Sequence, residues 1–153
     1  MLNQLNLHFI NHCNYKCVYC FADKTIATYP DINSLLKWVD TISDYFKENK
    51  ITNPRINLVG GEPLLYKGII PLIKYINSKG IRVSLVTNGS LLTNEFLSEV
   101  GEYLDMIGIS VDTLERETAI KLGRCNMNKK TLSLEKLVMI CKKIKILNIK
   151  LKI

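Results

Sequence analysis

Leu5-Asn6-Leu7-His8-Phe9-Ile10 alternates apolar and polar residues, the period of a half-buried strand. The period then lengthens, and about 33–49 reads as a helix with Asn33 or Ser34 as its cap. Arg55-Ile56-Asn57-Leu58-Val59 is a second strand, running into Gly60-Gly61. Residues 69–78 form a helical pattern ended by Gly80, a typical residue just past a helix C-terminus. A third strand over 81–87 stops at Asn88-Gly89. The pattern predicts a helix over 94–103, a fourth strand over 106–111, and helices over 114–122 and 134–147. A last strand, 149–153, looks buried.

Strand and helix therefore alternate four times before a fifth strand, with turn glycines after the strands. That order predicts an α/β fold with a parallel sheet and helices outside. Sites in such folds collect at the C-terminal ends of the strands, on the loops that follow. No linker, low-complexity tract or repeat beyond the strand–helix unit divides the 153 residues, so one domain is expected.

Composition adds little to that picture until charge is mapped. With 47% hydrophobic and 23% charged residues, the chain is globular rather than disordered. Residues 121–153 carry ten basic side chains and one acid, Glu135, whereas residues 1–120 carry 11 basic and 13 acidic. The net +7 is thus a C-terminal feature, which argues against a protein-wide nucleic-acid surface. It fits a local anion site, or the codon bias suggested by 17 Lys against 4 Arg with 19 Ile and 14 Asn. No apolar run approaches the roughly 20 residues that cross a bilayer. Met1–Ile10 lacks the charged and apolar regions of a signal peptide, so a reducing cytoplasm is expected.

The strongest chemical signal is Cys13-Asn14-Tyr15-Lys16-Cys17-Val18-Tyr19-Cys20, directly after the first strand. Three thiolates at this spacing can wrap one compact metal centre from a single loop. A four-iron cube so held keeps one iron without a protein ligand, open to a small molecule. A structural zinc would want a fourth ligand, for which His8 or His12 could be proposed, and usually a second knuckle. No second knuckle exists. Cys125 is not expected to be a ligand, and Cys141, in an apolar helix, reads as a core thiol. Tyr15, Trp38 and Tyr45 read as packing residues.

The cysteine spacing with Tyr19 beside the third cysteine resembles the radical S-adenosylmethionine (SAM) enzymes. So do Gly60-Gly61-Glu62-Pro63 after the second strand, Thr87-Asn88-Gly89-Ser90 after the third, and Ser110 in the fourth. The resemblance implies a partial (β/α)6 TIM-like barrel holding a [4Fe-4S] cluster on Cys13, Cys17 and Cys20. It also implies SAM contacts at Tyr19, Gly60, Gly61, Glu62, Asn88, Ser90, Ser110 and Arg124, the last toward the SAM carboxylate. Reduction then cleaves SAM to a 5′-deoxyadenosyl radical.

Along nearly the whole chain the sequence is similar to viperin and its prokaryotic relatives. Asn6-Leu7-His8-Phe9, Arg55-Ile56-Asn57-Leu58, Ser90-Leu91-Leu92, Gly101-Glu102-Tyr103-Leu104-Asp105, Ile109-Ser110-Val111-Asp112, Leu122-Gly123-Arg124 and Lys129-Lys130 carry the likeness. It implies a nucleotide dehydratase that converts a nucleoside triphosphate (CTP, with GTP or UTP as alternatives) to its 3′-deoxy-3′,4′-didehydro form in antiviral defence. A flavodoxin- or ferredoxin-type electron donor is implied as partner, with no direct nucleic-acid binding. Asn6 and His8 would lie near ribose and phosphates, and Arg55 and Lys152 where the family places triphosphate-binding lysines. Asn57, Lys129 and Lys130 complete the candidate substrate set, although a solvated loop equally suits the lysine pair. Independently, Asn6 with His8, and Arg55 with Asn57, share strand faces too polar for a plain core. Cys125-Asn126-Met127-Asn128 stands where the family has a glycine-rich stretch.

On this resemblance, residues 1–153 are the N-terminal part of a radical SAM core of about five strand–helix units. A sixth strand unit and a C-terminal extension are expected beyond it. The isolated chain is then expected to be inactive and to fold poorly or self-associate. Another radical SAM chemistry, such as peptide maturation, and a non-catalytic iron–sulfur module are the alternatives.

Overall fold

The computed structural model describes residues 3–22 and 29–153. Met1 and Leu2 of the N-terminal stretch lie outside the described residues. In order come β1 (Gln4–Ile10), α1 (Ile32–Glu48), β2 (Arg55–Gly60), α2 (Ile69–Ser78), β3 (Arg82–Thr87), α3 (Asn94–Val100), β4 (Leu104–Ile109), α4 (Arg116–Lys121), α5 (Leu134–Ile146) and β5 (Lys150–Lys152). The five strands form one sheet in the order β1-β2-β3-β4-β5, every neighbouring pair parallel. Sequential order without reversal is that of a barrel wall, not of a doubly wound sheet. Among the described residues no helix is long and apolar enough to cross a membrane.

Alternation along the strands sets the two faces. Ile56, Leu58, Val83, Leu85 and Ile107 are wholly buried, as are Leu35, Val39, Leu72, Ile73, Ile76, Leu97 and Ile140 on the helices that cover them. Each such side chain contributes about 1.5–3 kcal/mol by leaving water. The opposite strand face carries the polar alternates: Gln4, Asn6 and His8 on β1, Arg55 and Asn57 on β2, Arg82 and Ser84 on β3.

Several boundaries differ from the sequence pattern. Asp31, rather than Asn33 or Ser34, caps α1, accepting from the Ser34 backbone N–H at 3.0 Å. Ile32 joins the helix because Asp31 already supplies the extended cap conformation. The 94–103 segment is α-helical to Val100 and tightens to a 3₁₀ turn over Gly101–Tyr103. β4 starts two residues early, at Leu104, because that residue pairs with Val83. β5 is exposed, not buried: it pairs with β4 alone and forms the sheet edge. Trp38 and Tyr45 are about half exposed and do not pack into the core; they lie on the outer side of α1.

Candidate functional site

The cysteine loop leaves the C-terminal end of β1 and is tied down from across the fold. Lys16 and Val18 donate backbone N–H bonds to the carbonyls of Gly123 and Leu122, each at 3.1 Å. Gly123 makes this approach possible: its φ is +70° and a Cβ there would sit 2.1 Å from the Lys16 carbonyl oxygen. Cys13, Cys17 and Cys20 line one cavity of about 440 Å³ with Tyr15, Tyr19 and Phe21. Among the described residues no three His, Cys, Asp or Glu side chains converge as a single-ion site. Three thiols distributed around a cavity suit a polynuclear centre, in which each thiolate takes its own iron. Donors already face the sulfurs. The Tyr15 N–H lies 3.4 Å and Asn88 Nδ2 3.8 Å from Cys13 Sγ, and Arg124 Nη1 lies 4.0 Å from Cys17 Sγ. Such contacts stabilise thiolate and tune a cluster's potential.

Gly60 and Gly61 form the adjoining wall. Cβ atoms there would lie 2.0 Å from the Ile10 oxygen and 2.1 Å from the His12 oxygen, so only glycine lets β2 run this close to the cysteine loop. Gly61 and Glu62 donate to those same carbonyls at 2.7 and 2.8 Å. Glu62 is fully buried behind the wall and does not line the cavity. Burial pushes its carboxyl up, opposed by bonds from the Asn88 N–H (2.8 Å), the Thr87 hydroxyl (2.7 Å) and the Leu64 N–H (3.1 Å). Glu62 thus fixes the loop after β3. On that loop Asn88 lines the cavity and donates to Asn14 Oδ1 at 2.9 Å, while Asn14 donates to Ser90 Oγ at 2.9 Å. Ser90 stands behind Asn14 and does not line the cavity.

Arg124 reaches the cavity from the loop after α4 and is buried. It donates to the Ser110 carbonyl, pairs with Asp112 at 3.0 Å and stacks 5.8 Å from the Tyr15 ring centroid. Burial works against its charge, but Tyr19 and Asp112 outweigh this and raise its pKa above the ordinary value. Tyr19 donates its hydroxyl to the same Asp112 oxygen at 2.7 Å. Burial first, then this bond, pushes the Tyr19 phenol up to about 12.

Asn6, Val59, Val86 and Ser110 are shared with a second cavity of about 500 Å³, which adds Gln4, Asn57, Met106, Asp112 and Lys152. His8 lines the first cavity. A polar ladder crosses three strands in register: Ser84 donates to Asn57, and Asn57 donates to Asn6 at 2.7 Å. Arg55 lines neither cavity and pairs with Asp105 near the N-terminal ends of the strands. Lys129 and Lys130 are exposed outside both cavities. Their loop is a tight turn in which Asn126 Oδ1 accepts from the Asn128 and Lys130 N–H groups, each at 3.0 Å. Asn126 therefore supplies the turn geometry in the absence of glycines.

Residues 7–153 match the radical SAM superfamily. The chain belongs to the radical SAM superfamily. It is 37% identical over 139 residues to an S-adenosylmethionine-dependent nucleotide dehydratase from Selenomonas ruminantium, covering 90% of this chain and 49% of that one. A second such dehydratase, from Oncorhynchus mykiss, is 30% identical over 132 residues, covering 83% of this chain and 36% of its own. The chain thus spans about half, or less, of the length of these relatives. Among solved folds, Streptococcus suis SuiB bound to S-adenosylmethionine superposes with a TM-score of 0.74 at 18% identity, over 97% of this chain and 32% of that one. The peptide-bound anSMEcpe with AdoMet gives 0.71 at 20% identity, over 97% and 41%. These radical SAM folds confirm the partial TIM-like barrel architecture.

Sequence reasoning missed several residues around the thiol-lined cavity. Asp112 holds both Arg124 and Tyr19; its signal was its place in the Ile109-Ser110-Val111-Asp112 segment that carries the family likeness, without a role assigned to it. Asn14 sits within the cysteine loop and bridges Asn88 to Ser90. Ser84 shares the inner face with Arg82, as the alternation along β3 requires. Tyr15, read as packing, is buried yet lines the cavity beneath Arg124. Cys141 is partly buried against the core, and burial raises its thiol pKa.

Proposed function

We propose that the protein is a radical SAM nucleotide dehydratase, removing water from the ribose of a nucleoside triphosphate to give the 3′-deoxy-3′,4′-didehydro product. The observation carrying this reading is the junction of the two cavities. The thiol-lined cavity shares Asn6, Val59, Val86 and Ser110 with a second cavity that also bears Asn57 and Lys152. Sequence similarity to nucleotide dehydratases supports the same reading.

Cys13, Cys17 and Cys20 would hold a [4Fe-4S] cluster, which would supply the reducing electron, and bound SAM would supply the hydrogen-abstracting group. The chain's own residues bind and orient. Arg124 offers a guanidinium to the SAM carboxylate, and the wall at Gly60 and Gly61 leaves room for its amino group. Asn88 and Ser110 face the same cavity with hydrogen-bonding groups. Asn6, shared by the two cavities, and His8, in the thiol-lined cavity, hold the ribose toward SAM. Asn57 and Lys152 contact the substrate deeper along the strands, and the Ser84–Asn57–Asn6 ladder fixes the amides. CTP is the first substrate to test, in a cytoplasmic antiviral role with a flavodoxin- or ferredoxin-type donor. Residues 1–153 are the N-terminal part of the radical SAM core.

The test is anaerobic reconstitution of the full-length protein with iron and sulfide, then SAM, reductant and each nucleoside triphosphate in turn. A rise in 5′-deoxyadenosine that depends on one nucleotide, with its dehydrated product, is expected. No nucleotide-dependent rise with any base sinks the reading.

A further inference from the structure

Asn14 stands between the first two cysteines, and its amide closes a ring with the loop after β3. Asn88 Nδ2 donates to Asn14 Oδ1, Asn14 Nδ2 donates to Ser90 Oγ, and the Ser90 backbone N–H donates to Asn88 Oδ1, each at 2.9 Å. The loop is pinned on both sides of that ring. Glu62 accepts from the Asn88 backbone N–H at 2.8 Å, and Lys136 of α5 donates from its ammonium to the Ser90 carbonyl.

A backbone N–H can only donate, and this decides how both amides face. The Ser90 N–H requires the oxygen of Asn88, so the Asn88 nitrogen must point to Asn14. Asn14 must then answer with its oxygen, which turns its own nitrogen to Ser90 Oγ. A flipped Asn88 would set its nitrogen against the Ser90 N–H and its oxygen against the Asn14 oxygen. One hydrogen of the Asn88 amide is therefore taken by Asn14. The nitrogen lies 3.8 Å from Cys13 Sγ, which takes the other. Asn88 is 8% exposed, so this amide is largely withdrawn from water.

The Asn88 amide is thus anchored at two points, its oxygen by Ser90 and its nitrogen by Asn14. Two anchors fix its plane, whereas one leaves it free to turn about the Cβ–Cγ bond. We propose that Asn14 is a positioning residue that aims the Asn88 amide at the Cys13 sulfur and so raises the reduction potential of a cluster held by the three cysteines. This rests on the cluster part of the functional reading and is independent of the nucleotide. Donation to a thiolate sulfur favours the reduced, more negative state of the centre. The Tyr15 N–H, 3.4 Å from the same sulfur, acts alongside it from the backbone and does not depend on the Asn14 side chain.

The test uses the full-length protein, reconstituted anaerobically with iron and sulfide and kept free of SAM and nucleotide. The reduced cluster is followed by electron paramagnetic resonance during a potentiometric titration. Asn14→Leu keeps the bulk but offers no acceptor. It should lower the reduced-to-oxidised ratio at a fixed potential by about three- to tenfold, the larger figure being about 59 mV for a one-electron couple. Electron–nuclear double resonance in H2O and D2O should show one exchangeable proton coupling fewer than wild type, at unchanged iron content. A damaged loop that admits water would instead raise the potential, because water stabilises the more charged state. The sign therefore separates aimed donation from disruption. An unmoved or raised potential in iron-replete Asn14→Leu overturns the proposal, as does an unchanged set of exchangeable couplings. If Asn14→Leu does not retain iron, Ser90→Ala decides. It removes the other hold on the Asn14 amide without touching the cysteine loop, and should shift the potential down by a smaller amount; no shift overturns the proposal. A wild type that takes up no cluster sinks the cluster reading and this proposal together. A lowered potential with no nucleotide dehydrated sinks only the nucleotide reading, and dehydration with an unmoved potential sinks only the role of Asn14.

Discussion

Replacing Asp112 by Asn tests whether the cavity-facing arginine is held where the structure places it. One Asp112 oxygen accepts from Tyr19 at 2.7 Å and pairs with Arg124 at 3.0 Å. Removing one partner from a fully buried ion pair costs about 3–5 kcal/mol. Here the Arg124 side chain is 9% exposed but Asp112 is 43% exposed, so water screens the pair. Arg124 also keeps the Ser110 carbonyl and the Tyr15 ring. The net cost is therefore set at roughly 1–2 kcal/mol, a fall in Tm of about 2–8 °C for a domain of this size. A second readout separates this from general damage. The Tyr19 phenol, pushed up to about 12 by burial and then by Asp112, should titrate lower in the variant. Its raised pKa stabilises the fold fully below the ordinary value of 10.0, and that contribution is lost as pH rises through about 12. Thermal melts of the cluster-free protein, with absorbance titration of tyrosinate, make both measurements. An unchanged Tm together with an unchanged late tyrosine titration would falsify the arrangement.

Gly123→Ala should cost at least about 2 kcal/mol, combining left-handed strain with a Cβ 2.1 Å from the Lys16 oxygen, and should lower iron uptake on reconstitution, measured by absorbance and iron content. Glu62→Gln should destabilise by about 1–3 kcal/mol, because its amide nitrogen would face donors from Thr87, Asn88 or Leu64; equal denaturant midpoints would contradict this. Lys79, then Tyr75, holds the Asp40 carboxyl below its ordinary 3.8. Its contribution is therefore present above that pH and lost as pH falls through the lower folded value, so Asp40→Asn should flatten the acid limb of the stability curve. Ser84→Ala should raise nucleotide KM more than it lowers kcat, since it frees Asn57 without touching the thiol-lined cavity; the reverse split would argue against the ladder as a substrate device.

The parts legible in the sequence are those governed by local rules. Strand alternation placed Asn6 with His8 and Arg55 with Asn57 on one face, and Gly80 ended α2 as its left-handed φ of +73° requires. The cysteine loop was legible because three ligands of one kind sit within eight residues. What escaped depends on register between strands. Asp105 meets Arg55, Arg82 and Lys150 only because a bulge turns it inward, and a bulge leaves no mark in a hydrophobic pattern. Asp112 and Asn14 work through partners 12 and 76 residues away, at distances set by folding. Burial of β5 was misread because its apolar content matched a core strand, whereas exposure is set by its edge position.

Asp105 and Asp112 follow one physical logic at opposite ends of the inner face. Each holds an arginine, Arg55 or Arg124, and the proposed function directs Arg124 to the SAM carboxylate. A buried guanidinium without any anion would be costly in the free protein, so an internal carboxylate offsets its charge and orients it. Ligand binding then becomes an exchange of one anion for another, in which much of the Coulombic gain cancels. What survives is the difference in geometry and charge between ligand and carboxylate. Such a site discriminates more strongly than it binds. Removing Asp112 should therefore raise affinity for small anions while blurring selectivity. A variant that lost both affinity and selectivity, while remaining folded, would show instead that the carboxylate shapes the site directly.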